Sequence, residues 1–205
     1  MLLATIDLET LALEANAVIL SVGICIFDNE RLNTHEELVS QGINIYFDQD
    51  SQAAKGRKIS QSTLEWWSEQ GESAQECLNN PNKIAVRDFY AVFNKLCADT
   101  GMGDTPYHPS RKKLKWYARG PHFDISKMDD LFTNFNVTSP WKYYNIRDIR
   151  TWLECNGLED NLKLVKPSNM IPHNSLHDAA FDAWMMQQVK NNKDNLVIDL
   201  THVRE

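Results

Sequence analysis

The chain has 205 residues, of which 42% are hydrophobic and 24% charged, and carries a net charge of −7. That length suits one α/β domain over residues 1–205, and the absence of any apolar run near ~20 residues excludes a membrane-spanning helix. The acidic balance argues against a general nucleic-acid binder with a basic footprint, though not against an enzyme that meets nucleic acid through bound cations. The scattered Cys25, Cys77, Cys97 and Cys155, with no C-x-x-C pair, point to neither a zinc site nor a disulfide framework, and "MLLATIDLET" lacks a secretory signal, so a reduced, cytoplasmic protein is expected.

Leu2–Leu8 and Val18–Phe27 are apolar and β-prone, and the polar "LEAN" between them predicts a hairpin-like pair. Ile43–Phe47 reads as a third strand and Asp48–Lys58 as a loop. A helix starts at Ser60 and stops at Gly71, and another runs from about Lys83 to Thr100. Gly101–Lys113 is rich in glycine and proline and reads as loop. Leu114–Ala118 is the fourth strand candidate, Ile125–Asn134 a helix, Trp141–Ile146 the fifth strand and Arg147–Asn156 a helix. "VKPSNMIPHNS" connects to a final helix over Asp178–Asn191, and "NLVIDLTHV" is ambiguous. Strands followed by alternating strand and helix imply an α/β fold, a mixed sheet flanked by helices on both faces.

Chemistry concentrates in four acids and a histidine. Asp7 and Glu9 stand two apart in a strand, so both carboxylates project to one face and repel when charged. A shared proton, a hard divalent cation or a surface-facing edge strand would each resolve that repulsion. Asp124 follows a strand and a Gly-Pro turn, where α/β sheets gather their sites, although a helix N-cap is the alternative. His177 and Asp182 have H-x-x-x-x-D spacing, and Ala179, Ala180 and Ala183 would let their helix approach the sheet closely. Singly, Asp182 reads as a solvated helix face and His177 as a loop histidine.

In the order D-x-E, D, H-x4-D the chain resembles the DEDDh branch of the DnaQ-like 3′–5′ exonucleases, which have a ribonuclease H-like fold. The segments "DLETLALEANAVILSVGICIF", "STLEWWSEQ", "ARGPHFD", "YNIRDIRT" and "HNSLHDAAFDA" are similar to the phage exonuclease A and small bacterial exoribonuclease group, from about Leu2 to Met186. Ala12 stands where that group often has glycine, which bears on loop geometry alone. The sister branch would place tyrosine at Asp178, so it does not fit. Asp178 reads instead as an N-cap, or as the end of an S-x-x-D capping box with Ser175. Residues five apart on a helix diverge by about 140°, so His177 is expected on the loop just before the helix.

The resemblance implies a ribonuclease H-like mixed five-stranded sheet and a two-metal hydrolysis of phosphodiesters from the 3′ end, releasing nucleoside 5′-monophosphates. Asp7, Glu9 and Asp182 would hold the ion that binds the attacking water, and Asp7 and Asp124 the ion at the leaving group. His177 would be the general base. Oxygen-only ligation implies Mg²⁺ or Mn²⁺. The implied partner is a single-stranded RNA or DNA 3′ end, and a homodimer is an assembly frequent among related small exonucleases. Substrate candidates are Thr10 and Leu11 beside the first acids, Arg119 and His122 flanking Asp124, and Trp66 or Trp67, whose side chains lie about 100° apart on a helix. Arg57, Lys58 and "SRKKLKW" read as phosphate contacts or, at least as readily, as solvated charge, and Arg147, Asp148 and Arg150 as an ion-pair and capping network with a phosphate role as the alternative. An inactive nucleic-acid-binding module of the same fold is the competing reading; a structural protein with solubilising acids is a third.

Overall fold

The computed structural model describes residues 1–103, 108–158, 163–191 and 198–199. Five strands form one mixed sheet in the order β3-β2-β1-β4-β5. β1 (Leu2–Thr10) and β2 (Ile19–Asp28) pair antiparallel as a hairpin, and β3 (Ile43–Tyr46) adds antiparallel to β2. β4 (Lys115–Ala118) and β5 (Ile146–Asp148) run parallel to β1 on its other side. This is the mixed ribonuclease H-like sheet that the sequence implied.

The alternation along β1 separates two cores. Ala4, Ile6 and Leu8 pack with Phe89, Phe93 and Leu96 of α5 (Phe89–Asp99) and with Ile125, Met128 and Phe132 of α7 (Pro121–Asn134). Leu3 faces the opposite way, towards Ile149 and Leu153 of α8 (Ile149–Cys155) and Ala180 and Met186 of α9 (Ser175–Asn191). Thr5 shares that second face and donates its hydroxyl to the Ala179 carbonyl of α9 at 2.7 Å. Asp7 and Glu9 continue the Leu3–Thr5 series, so period-two geometry aims both acids at the side covered by α9. α9 reaches them because Gly23, the antiparallel partner of Asp7, has no side chain. A Cβ there would lie 2.0 Å from the Ser175 carbonyl oxygen.

Several boundaries differ from the sequence reading. The segment 48–58 holds a helix, α2 (Gln49–Ala54), because Asp48 caps it by accepting the Ser51 N–H and Gln52 buries its amide against the backbone of Ile19. α1 (His35–Gln41) was not anticipated, although Thr34 and Glu37 form a full T-x-x-E capping box visible in the sequence. The helix expected over 60–71 is α3 (Gln61–Ser68), and α4 (Glu72–Asn79) follows at once. α5 begins six residues later than expected, because the backbone of Ile84 instead pairs with Tyr46 and Asp48. α6 (Pro109–Lys113) replaces part of the expected 101–113 loop, of which residues 104–107 lie outside the described residues. The fifth strand begins only at Ile146, since 143–145 curl into a 3-10 turn that exposes both tyrosines. Of the ambiguous tail, Ile198–Asp199 pairs with Lys163–Leu164, and its other residues lie outside the described residues.

Candidate active site

Four elements bring the carboxylates together. β1 supplies Asp7 and Glu9. After β4 the chain turns through Gly120, whose φ of +96° favours glycine, and Pro121 opens α7. That start places Asp124 in the first turn of α7, one turn deeper than the cap position considered for it. Its carboxylate accepts the backbone N–H of Leu8 on β1. α9 supplies Asp178 and Asp182, four residues apart and therefore on one helix face.

Carboxylate oxygens of Asp7, Glu9 and Asp178 lie within 4.8 Å of one another. Burial raises Asp7 well above the usual carboxylate range, and the charges of Asp124, Glu9, Asp178 and Asp182 push it further. Glu9 is raised in the same way, by burial and then by Asp178 and Asp124. Burial and Asp182 raise Asp124 to about 7 and Asp178 to about 6. So many carboxylates facing one another repel when charged, and bound protons or cations relieve that repulsion.

Among the described residues, Asp182 is the acid of this group that forms a salt bridge. Arg119 grips its Oδ1 through Nε at 3.1 Å and Nη2 at 2.5 Å. Arg119 therefore stands committed to Asp182. Asp178, read from the sequence as a cap, is no cap. Asn174 fills that place, its side chain accepting the His177 N–H at 3.3 Å. The Asp178 carboxylate instead joins the cluster and accepts the backbone N–H of His173.

His177 lies within the first turn of α9, not on the loop before it. Its Nδ1 accepts the Ile171 N–H at 3.3 Å, its ring packs 5.3 Å from that of His35, and its carbonyl meets His35 Nε2 at 3.0 Å. His173 occupies the loop position instead, with φ +60°. Its ring meets Trp66 edge-to-face at 4.8 Å, and burial with the nearby Lys166 lowers its pKa below the ordinary histidine value. The signal was present in the sequence: H-x4-D spacing occurs twice, as His173/Asp178 and as His177/Asp182.

The tryptophans divide as adjacent helix positions should. Trp67 is 1% exposed, packs with Leu11, Val18 and Leu20, and donates to the Thr10 carbonyl, whereas Trp66 is 39% exposed beside His173. Thr10 and Leu11 are both buried, and the Thr10 hydroxyl is spent on the Ala12 carbonyl. His122 is exposed on the first turn of α7, next to the half-exposed Phe123. Arg57 is no phosphate ligand: it is buried, holds the Ala17 carbonyl and pairs with Asp130 at 2.6 Å. Asp148 caps α8 as its position suggested.

Residues 3–190 match the model of the 3′-5′ exoribonuclease Rv2179c-like domain. The chain belongs to this family. A phage T4 exodeoxyribonuclease is 29% identical over 204 residues, covering 89% of this chain and 86% of the phage protein. Among solved structures, S. pombe Pop2p, in a form with Mg²⁺ and Mn²⁺ bound, covers 98% of this chain and 87% of its own at a TM-score of 0.54 and 13% identity, a likeness of fold. The nuclease domain of 3′hExo, a DEDDh family member solved with rAMP, covers 97% and 96% at a TM-score of 0.48 and 13% identity. The chain is thus a 3′–5′ exonuclease by family, on a ribonuclease H-like sheet. Among the described residues no helix is long and apolar enough to cross a membrane.

Proposed function

We propose that this exonuclease removes nucleoside 5′-monophosphates from the 3′ end of single-stranded RNA or DNA, using divalent cations held by Asp7, Glu9, Asp178 and Asp124. The observation that carries the reading is the convergence of the half-buried Asp7 and Asp178 carboxylates with buried Glu9 within 4.8 Å, with Asp124 pressing on the same charge. An all-oxygen donor set of surplus negative charge fits Mg²⁺ or Mn²⁺, not a thiophilic metal. Asp7, Glu9 and Asp178 would hold one ion, and Asp7 with Asp124 a second. When bound, such ions supply a hydroxide nucleophile at neutral pH and offset charge on the scissile phosphate and the leaving 3′ oxygen.

The remaining roles belong to the chain itself. His173 is the proposed general base in place of His177. It sits on the loop against Asp178, and its lowered pKa keeps the ring neutral and able to take a proton near pH 7. His177 has one ring nitrogen already engaged by the Ile171 N–H. Arg119 orients Asp182 and so supports the face of α9 that carries Asp178. Trp66 offers an exposed ring on which the terminal base stacks beside His173. His122 is exposed at the start of α7 and placed to meet a phosphate.

The family is named for exoribonuclease activity and the phage relative for cutting DNA, so sugar preference is the first thing to measure. Digestion of 5′-labelled single-stranded and duplex RNA and DNA with Mg²⁺, Mn²⁺ or chelator tests the reading. A ladder shortening from the 3′ end, absent with chelator, is expected. Cleavage unaffected by chelator, or proceeding from the 5′ end, would overturn it.

A further inference from the structure

The β4–β5 edge of the sheet carries charge opposite to the acid cluster. α6 ends on Arg111, Lys112 and Lys113, and β4 opens on Lys115. The turn before β5 is stitched to this segment. Asn145 donates its side-chain amide to the Lys112 carbonyl at 2.9 Å and accepts from Lys115 Nζ at 2.8 Å. Lys142, Tyr143 and Tyr144 therefore stand against the α6–β4 junction. Tyr143 is 86% exposed and Tyr144 57%, their rings edge-to-face at 5.3 Å. Arg147 donates to the carbonyls of Tyr144 and Ile146, which holds its guanidinium beside the pair. Lys112, Lys113, Lys142 and Arg147 are all exposed, and none forms an ion pair among the described residues. Asp148, the neighbouring carboxylate in sequence, is occupied in capping α8.

Single exposed apolar side chains are ordinary, but here two wet aromatic rings stand within a group of uncompensated cations on a protein of net charge −7. Aromatic faces flanked by lysine and arginine suit a single nucleic-acid strand, whose bases stack and whose phosphates pair without regard to sequence. We propose that this edge is an accessory surface for single-stranded nucleic acid, holding the strand upstream of the 3′ terminus bound at the acid cluster. The inference rests on the exonuclease reading of that cluster. β4 separates the two places: Lys115 opens it, and Ala118 closes it just before Arg119 and Asp124. At the strand rise, four residues span about 13 Å. Only an oligomer longer than a few nucleotides touches both.

Two multiple variants of the full chain test this, Tyr143→Ala/Tyr144→Ala and Lys112→Ala/Lys113→Ala/Lys142→Ala. Affinity for a fluorescent single strand of about 20 nucleotides is measured in the Asp7→Ala background, so that the strand is not consumed, and hydrolysis of oligomers of about 4 and 20 nucleotides is measured without that substitution. The tyrosine variant should bind the long strand about tenfold or more weakly. The lysine variant should flatten the dependence of log affinity on log salt by about 2 for three lost phosphate contacts. In both, KM for the long oligomer rises while turnover of the short one is unchanged. Unchanged long-strand affinity, equal losses on both lengths, or loss of a dimer in sedimentation with strand affinity intact would each overturn the proposal. Should the parent protein hydrolyse nothing, the exonuclease reading fails, and the long-strand affinities alone still decide whether the edge binds nucleic acid.

Discussion

Asp178 and Asp182 sit on one face of α9 but in different company: Asp178 among other carboxylates, Asp182 in the grip of Arg119. A carboxylate paired with a guanidinium has its charge met already, whereas the Asp7–Glu9–Asp178 group has surplus charge to offer a cation. Asp178→Ala should therefore abolish Mn²⁺ binding by calorimetry and turnover with it. Asp182→Ala should retain measurable Mn²⁺ binding. The reverse pattern would assign Asp182 as the ligand. The two histidines separate in the same way. His173→Ala should leave Mn²⁺ and strand binding intact and lower single-turnover rates by roughly 10²–10⁴, the range for a lost general base. His177→Ala should keep most of its rate and lose stability, because it removes the ring packed on His35. Single-turnover rates and melting curves on both variants decide between them.

At the scale of elements, the site depends on how closely the N-terminus of α9 approaches the hairpin. Gly23 permits that approach, and Ser21 and Asn44 fasten it through Ser175 at 2.7 and 2.8 Å. Asn44 also donates to Asn174, the cap of α9, at 3.3 Å. A methyl at residue 23 would meet backbone, which cannot rotate away. Gly23→Ala should thus cost at least the ~1–3 kcal/mol of a tolerated overpacking. It should also lower activity, since α9 must shift and carry Asp178 away from Asp7. A Gly23→Ala protein with unchanged melting temperature and rate would contradict this account. At α1, removing the capping-box hydroxyl in Thr34→Ala should cost about 1 kcal/mol, read in the denaturation midpoint, with turnover unaffected.

The whole molecule feels the acid cluster through its pH dependence. In the metal-free protein Asp178 and Asp124 are raised to about 6 and about 7, and Asp7 and Glu9 are raised with them. Between the unfolded carboxylate value near 4 and those folded values, the native state binds more protons than the unfolded one. Stability therefore falls as pH rises through that window. Melting temperature with chelator should be higher at about pH 5 than at about pH 8. Mg²⁺ or Mn²⁺ should restore more of it at the higher pH, where the carboxylates are free to bind. A metal-free melting temperature that climbs from pH 5 to pH 8 would mean that the cluster is not under charge repulsion.

The local pattern in the chain was enough for the mixed sheet, the hairpin, the D-x-E pair on one face and the acid at the start of α7. Each follows from strand period, a Gly-Pro turn or a helix start, all written within a few residues. Short helices at 35–41 and 49–54 carried legible caps at Thr34 and Asp48, but their stability comes from buried contacts such as those of Gln52. At the last motif the local reading misplaced His177, which lies within α9, and the cap, which is Asn174 and not Asp178. Two overlapping H-x4-D spacings differ by four residues, about one helical turn, so spacing alone ranks them equally. Which pair faces the cluster depends on where α9 begins, and that is settled by Asn174 as its cap and by the fit of Ser175 against Gly23. Ser175 and Gly23 are more than a hundred residues apart in the chain, and only the folded sheet brings them into contact.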